Sequence, residues 1–236
     1  MILTLWNLPL QILRPYAMNR DSYIALIIIT CLLFSSYIYA RTNKILIQLF
    51  KDFILHREHT SVLRNTTTNE LRFLVLLIGQ TCVLVAICCY ALSIYNNPAL
   101  LDSNSSLALI GIYTLCNISY IVFKWFIYHY IGYTFFDKEK SSIWSESYFT
   151  LIYYSGFILF PICLVIVYLQ INATSALILC LIPLVVVKLL ILYKAIKLFC
   201  IRYLYILLFI LYFCTLEIMP LLIFCKGISI LNKVLI

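Results

Sequence analysis

One acidic residue lies inside a strongly apolar segment and is the strongest candidate for chemistry in the sequence. Glu217 lies in LYFCTLEIMPLLIF, residues 211–224, and Pro220 follows it by three positions. A charge at the centre of a membrane helix costs about 2.5–3.5 kcal/mol on insertion scales, so Glu217 is expected to face other helices, to be paired or to be protonated. Pro220 has no backbone N–H, and the carbonyl of Leu216 is therefore freed beside the carboxyl group.

Cys214 and Thr215 precede the acid, and the Thr215 hydroxyl adds to a polar kink in an otherwise apolar helix. Two interpretations stay open. The segment is either a site for a proton, an ion or a substrate, or a structural polar lock that pins this helix to a neighbour.

Three polar residues in other apolar segments are candidate partners for Glu217: Lys188, Gln80 and Asn117. Lys188 is predicted to lie nearer the cytoplasmic side than Glu217, so a direct pair would need a long reach or a bridging water. Lys188 could equally extend its amine to the membrane surface. Gln80 and Asn117 are more typical of hydrogen bonds between helices than of ligand sites.

Motifs for catalysis, cofactors and metals are missing from the sequence. HREH, with His56 and His59, has no third ligand at a metal-binding spacing. There is no GxSxG, P-loop or GxGxxG motif, and no pair of aspartates suited to magnesium–diphosphate. We therefore predict no catalytic residue, no cofactor and no metal.

The composition places the chain in a membrane. Hydrophobic residues make up 64% of the 236 residues and charged residues 11%, with a mean hydropathy of +1.04. A soluble domain is about half apolar and about a quarter charged. The fold class is therefore all-α: a polytopic bundle of about six helices in a single membrane domain, residues 1–236. The predicted spans are Tyr23–Ala40, Leu71–Tyr95, Ser106 to at least Phe123 and at most His129, Tyr148–Leu169, Ala176 past Lys188, and Tyr203–Phe224.

The distribution of basic residues predicts the orientation. Thirteen Lys and Arg residues, with Lys124 and Lys188 counted among them, fall in three connections on one side, and four fall on the other. The positive-inside rule places the larger group in the cytoplasm and both termini outside. Because the basic residues flank apolar segments, membrane orientation explains the net charge of +8, and no nucleic-acid partner is expected.

Residues 43–57 form the largest predicted non-spanning element. Leu46, Leu49, Phe50 and Phe53 recur at helical spacing between basic residues, which predicts an amphipathic helix on the cytoplasmic membrane surface. The alternative is a continuation of span one into water.

The Cys214–Thr215–x–Glu217–x–x–Pro220 constellation, with Lys226 after it, resembles the C-terminal signature of a Bacteroidetes-type membrane family, DUF 4271. The resemblance extends over most of the chain, and Ser145–Pro161 is compatible with it. It implies a multi-pass protein of the inner membrane in a bacterium with two membranes, and it implies no established activity.

The leading hypothesis is a non-enzymatic inner-membrane subunit or accessory factor. Its partners would be the lipid bilayer and other membrane subunits of a larger assembly, such as a protein-export or envelope-biogenesis machine. The alternative is a small proton- or ion-coupled transporter that uses Glu217 in the Pro-kinked last helix.

Overall fold

The computed structural model describes residues 21–55, 68–97, 100, 105–135, 138–169, 171–199 and 214–235. Every regular element in these ranges is helical, which confirms the all-α prediction. One π-helical turn, Cys214–Ile218, leads directly into the last helix. The helices are α1 (Ser22–Leu55), α2 (Thr68–Asn96), α3 (Ser106–Phe135), α4 (Lys138–Tyr168), α5 (Ala173–Phe199) and α6 (Met219–Leu235).

Six stretches of these helices are long and apolar enough to cross a membrane, so the protein is a multi-pass membrane protein. We number them spans one to six: Ser22–Thr42, Arg72–Asn96, Ser106–Tyr130, Ser147–Tyr168, Ala173–Lys194 and Thr215–Leu235. The placement of both termini outside remains a prediction.

Helices α2 and α4 form the centre of the bundle. In 18-residue apolar stretches of spans two and four, 56% and 44% of the residues are buried, against 22% or fewer in the corresponding stretches of the other spans. The main apolar cluster joins Leu84 and Tyr90 of α2 to Tyr113 of α3 and Ile166 of α4. The remaining helices therefore lie at the periphery and expose large apolar side chains, as a lipid-facing surface requires.

The two central helices approach each other closely at Gly156. A Cβ atom at this position would overlap the Cγ2 methyl of Thr81 on α2. The Thr81 hydroxyl donates to the carbonyl of Ile78 within its own helix, at 2.7 Å. Gly156 is thus the small residue that lets α2 and α4 pack backbone against side chain.

The predicted amphipathic segment is continuous with span one. Helix α1 runs without a break from Ser22 to Leu55, and residues 56–57 lie outside the described residues. Leu46 is buried against Leu74, Leu77 and Tyr153, and its carbonyl accepts a 2.7 Å bond from the Tyr154 hydroxyl. At Leu46 the apolar face thus packs on protein. A position of this segment on the membrane surface stays a prediction.

Two predicted span boundaries need correction. Span three continues beyond Phe123 to Tyr130, so Lys124 lies inside it, whereas Lys188 lies inside span five as predicted. Removing both leaves eleven basic residues in the cytoplasmic count, and removing Lys226 and Lys233, which lie inside span six, leaves two on the other side, so the predicted orientation is kept. The last helix continues past Phe224 to Leu235, while residues 203–213 lie outside the described residues.

Candidate functional site

Three charged side chains from three spans meet inside the bundle. Lys124 Nζ of α3 lies 2.9 Å from Glu217 Oε1, and Lys188 Nζ of α5 bonds Glu217 Oε2. The Lys124 and Glu217 side chains are 0% and 1% exposed, whereas Lys188 is 22% exposed. We call these three residues the charge triad. It joins span six to spans three and five.

Helix α3 presents Lys124 on a stripe of polar side chains. Tyr113, Asn117, Tyr120, Lys124 and Tyr128 follow one another at intervals of four, three, four and four residues, which places them on one face of the helix. The Lys124 amine lies 3.4 Å from the Tyr128 hydroxyl and 5.1 Å from the centre of its ring. The aromatic ring therefore adds a cation–π contact to the ion pair.

The kink around Pro220 supplies the remaining acceptor. Lys124 Nζ donates to the Leu216 carbonyl, the group that Pro220 leaves without its usual helical donor. This carbonyl belongs to the π-helical turn Cys214–Ile218, which also carries Glu217. One lysine thus forms an ion pair with the carboxylate and donates a hydrogen bond to the adjacent freed carbonyl, which explains how an irregular turn is tolerated at membrane depth.

The charge triad lies toward the predicted cytoplasmic ends of the spans. Lys124 and Lys188 each lie six residues, or about 9 Å, before the ends of their spans at Tyr130 and Lys194. The sequence predicted that a direct pair of Lys188 with Glu217 would need a long reach or a bridging water, because span six was predicted to end at Phe224, whereas the structure pairs the two side chains directly. With the helix extended to Leu235, Glu217 moves to the level of Lys188.

A second polar connection holds the opposite end of span six. The Tyr113 hydroxyl donates to Asn232 Oδ1 at 2.6 Å, and Asn232 Nδ2 donates to the Ser93 hydroxyl at 2.9 Å. All three groups are buried. Span six is therefore attached at both ends by polar groups, and the Tyr120 and Phe224 rings meet between them at 5.0 Å.

The other predicted site residues lie outside the charge triad. Gln80 donates to the Ser35 hydroxyl and so joins spans two and one. Asn117 donates to the Tyr113 carbonyl of its own helix at 2.8 Å. Thr215 has an exposed side chain in the π-helical turn, and Cys214 begins that turn with a side chain outside the described residues.

The triad's chemistry is that of a buried, unequal charge cluster. Two amines face one carboxylate, so the three groups carry a formal excess of one positive charge when all are ionised. Such a cluster can fix helices relative to one another, or it can exchange a proton or hold an anion.

A cavity of about 400 Å³ lies elsewhere in the molecule. Its lining consists of apolar and tyrosine side chains: Tyr39, Leu46, Ile47, Tyr154 and Phe157. Within the described ranges, no three His, Cys, Asp or Glu side chains are grouped as metal ligands.

Sequence reasoning missed Lys124 and Asn232. Both were assigned to segments outside the apolar core because spans three and six were ended too early. A usable signal existed for Lys124, since it continues the helical spacing of Asn117 and Tyr120. Asn232 had no comparable signal, because its partners Tyr113 and Ser93 lie on two other helices.

Comparison with known proteins gives one match. No curated protein and no solved structure matches this chain. A family model described as a domain of unknown function, DUF4271, matches residues 24–228. The match begins in span one, ends in span six and includes all three residues of the charge triad. The chain therefore belongs to the DUF4271 family, as its last span led us to expect.

Proposed function

We propose that this protein is a non-enzymatic subunit or accessory factor of a larger assembly in the inner membrane of a bacterium with two membranes. It would act by packing its peripheral helices against other membrane proteins. The observation that carries the proposal is the packing of span six. Of the 21 residues of span six, only Glu217 and Asn232 are buried within the chain, although the span contributes the buried acid of the charge triad.

Two features support this assignment. The buried ions of the triad pair with one another, so they serve to attach span six to spans three and five. Most of the remaining surface of that span is uncovered, and its exposed side chains include Met219, Leu222 and Ile223. A helix that is fixed at two levels but otherwise uncovered is suited to joining two membrane proteins.

Purification from native membranes in a mild detergent tests the proposal. We expect the intact chain to elute as part of an assembly with other membrane proteins in fixed ratio. Dissociation by a harsher detergent should release the single chain in folded form. Elution as a lone monomer under the mildest conditions would contradict the proposal. The identity of the copurifying subunits would decide whether the assembly serves export or envelope biogenesis.

The second candidate function is proton- or ion-coupled transport, and one observation favours it. Two lysines share one glutamate in the charge triad, and Lys188 retains 22% exposure. A cluster with an excess amine and partial access can change its protonation during a transport cycle.

Reconstitution into proteoliposomes separates the two functions. If the triad carries transport, Glu217→Gln should abolish a proton or ion flux in a protein that still folds. If Glu217→Gln leaves every flux unchanged and Glu217→Ala only lowers the amount of protein, the triad serves structure alone. Lys51→Met is a matched control, because Lys51 is an exposed lysine outside the spans.

A further inference from the structure

Span six carries a lysine on its uncovered face at the depth of the bundle's centre. Lys226 is exposed, and no described residue pairs with it. It follows Phe224, whose ring meets Tyr120 of α3, by two residues, about 200° around helix α6, so it points away from the side that packs on α3. Its exposure agrees with this geometry.

Three contacts fix the depth of Lys226. Glu217 meets Lys124, the Phe224 ring meets Tyr120, and Asn232 meets Tyr113, so spans six and three run antiparallel in a defined register. Interpolation between these contacts places Lys226 level with residues 117–118 of α3. These residues lie at the midpoint of the span Ser106–Tyr130. A lysine stem extends only about 6 Å and cannot carry its amine from there to either membrane surface.

Within the described spans, no acid is left to neutralise this amine. Of its nine Asp and Glu residues, only Glu217 falls within the six spans that the described helices form, and Glu217 already holds two lysines. A second copy of the chain would bring the same deficit of acids at this depth. The lipid chains at the bilayer centre offer no group that pairs with an ammonium ion.

The neighbours of Lys226 form a surface suited to a helix. Met219, Leu222, Lys226, Ser229 and Lys233 follow at intervals of three, four, three and four residues, and all five side chains are exposed. This is the spacing of a helix–helix seam, with Lys226 at its centre. Gly227 beside it has open space around its Cβ position, which allows a partner to approach.

We propose that this stripe binds a transmembrane helix of a different protein that carries an Asp or Glu at mid-membrane depth, opposite Lys226. The inference rests on the proposed function, and it names the chemistry of the partner. Lys226 then gains its counter-charge only within the assembly. The seam lies on the side of span six opposite the side that packs on α3, so the charge triad fixes the position of the helix and Lys226 selects its partner.

Photo-cross-linking in native membranes tests this proposal in the full chain. A photoreactive phenylalanine replaces Leu222, one turn from Lys226, and a second version carries it at the exposed position Val185 of span five as a control. We expect a protein adduct at position 222 whose partner, identified by mass spectrometry, has an acidic residue in a span. Lys226→Met should reduce that adduct by about tenfold or more, and Lys226→Arg should preserve it. The adducts formed at position 185 should not change.

Charge reversal completes the test. Lys226→Glu should abolish the adduct, and replacing the partner's acid with lysine should restore it. Adducts to lipid alone at position 222, or a protein adduct that Lys226→Met leaves intact, would overturn the inference. If the copurified assembly survives Lys226→Met unchanged, the proposed function stands and this inference fails. If the wild type yields no assembly and only lipid adducts, both fail.

Discussion

Lys124 Nζ lies 2.9 Å from Glu217 Oε1, and both side chains are closed off from solvent. The two residues come from spans three and six, which are far apart in the chain. The same lysine also bonds the carbonyl that Pro220 leaves free. The Lys124–Glu217 pair therefore stabilises the irregular turn before Pro220, and it also holds span six against span three.

Removing Lys124 should destabilise the protein strongly. We expect Lys124→Met to lower the free energy of unfolding by about 3–5 kcal/mol, because a buried carboxylate loses its fully buried partner. Lys188→Met should cost less, since Lys188 is partly exposed. Denaturant titration in detergent micelles measures both values.

The double variant Lys124→Met with Glu217→Gln provides the control for that prediction. Because both charges of the pair are then removed, its loss should be smaller than the sum of the single losses. Additive losses would show that the pair contributes no coupling. Lys51→Met, outside the spans, should change the free energy of unfolding by less than about 0.5 kcal/mol.

The connection at Asn232 should be measurable in the same way. Asn232→Leu removes an acceptor for the Tyr113 hydroxyl and a donor to Ser93. We expect a loss of about 1 kcal/mol, as for other polar contacts between membrane helices. Tyr113→Phe should produce a similar loss, and the two together should be less than additive. Full additivity of the two changes would count against the bond.

The close approach of α2 and α4 predicts a size limit at position 156. Gly156→Ala should lower the free energy of unfolding by about 1–3 kcal/mol, since the new methyl group overlaps Thr81 Cγ2. Thr81→Ser removes that methyl and keeps the hydroxyl that bonds Ile78, so it should restore part of the loss. Gly79→Ala is the matched control, because open space surrounds its Cβ position. Equal effects of the two alanine variants would refute the packing argument.

Orientation can be checked with single accessible cysteines in a chain freed of its native ones. We expect a cysteine at Asn97, between spans two and three, to react with a membrane-impermeant thiol reagent added from outside. A cysteine at Lys51 should react only after the membrane is opened, because positive-inside logic places it in the cytoplasm. The reverse labelling pattern would show that the topology is opposite to the predicted one.

The number of spans could be predicted because each one needs about 20 apolar residues, and this requirement is local in the sequence. The ends were less predictable for a physical reason. A charged residue beside an apolar run either marks the membrane surface or lies buried with a partner, and averaged hydropathy gives both cases the same value. Lys124 was placed outside the core on this ground, and Asn232 lies beyond the predicted end of span six, although the structure buries both.

The candidate site was predictable where it depends on covalent structure. Pro220 frees the Leu216 carbonyl in any helical arrangement, so that feature follows from the sequence. The donor that bonds this carbonyl, Lys124, depends on the register between two helices distant in the chain. The register between these two helices cannot be inferred from a single sequence. The Asn232–Tyr113 contact, which defines the other end of span six, was hidden for the same reason.

The order of the triad along the chain has a consequence for biosynthesis. Lys124 and Lys188 enter the membrane in spans three and five, before Glu217 is synthesised in span six. Until then, two amines lie within the bilayer without their carboxylate. The arrival of span six supplies this carboxylate, so the charge cluster closes only after three spans that are separated in the chain have met.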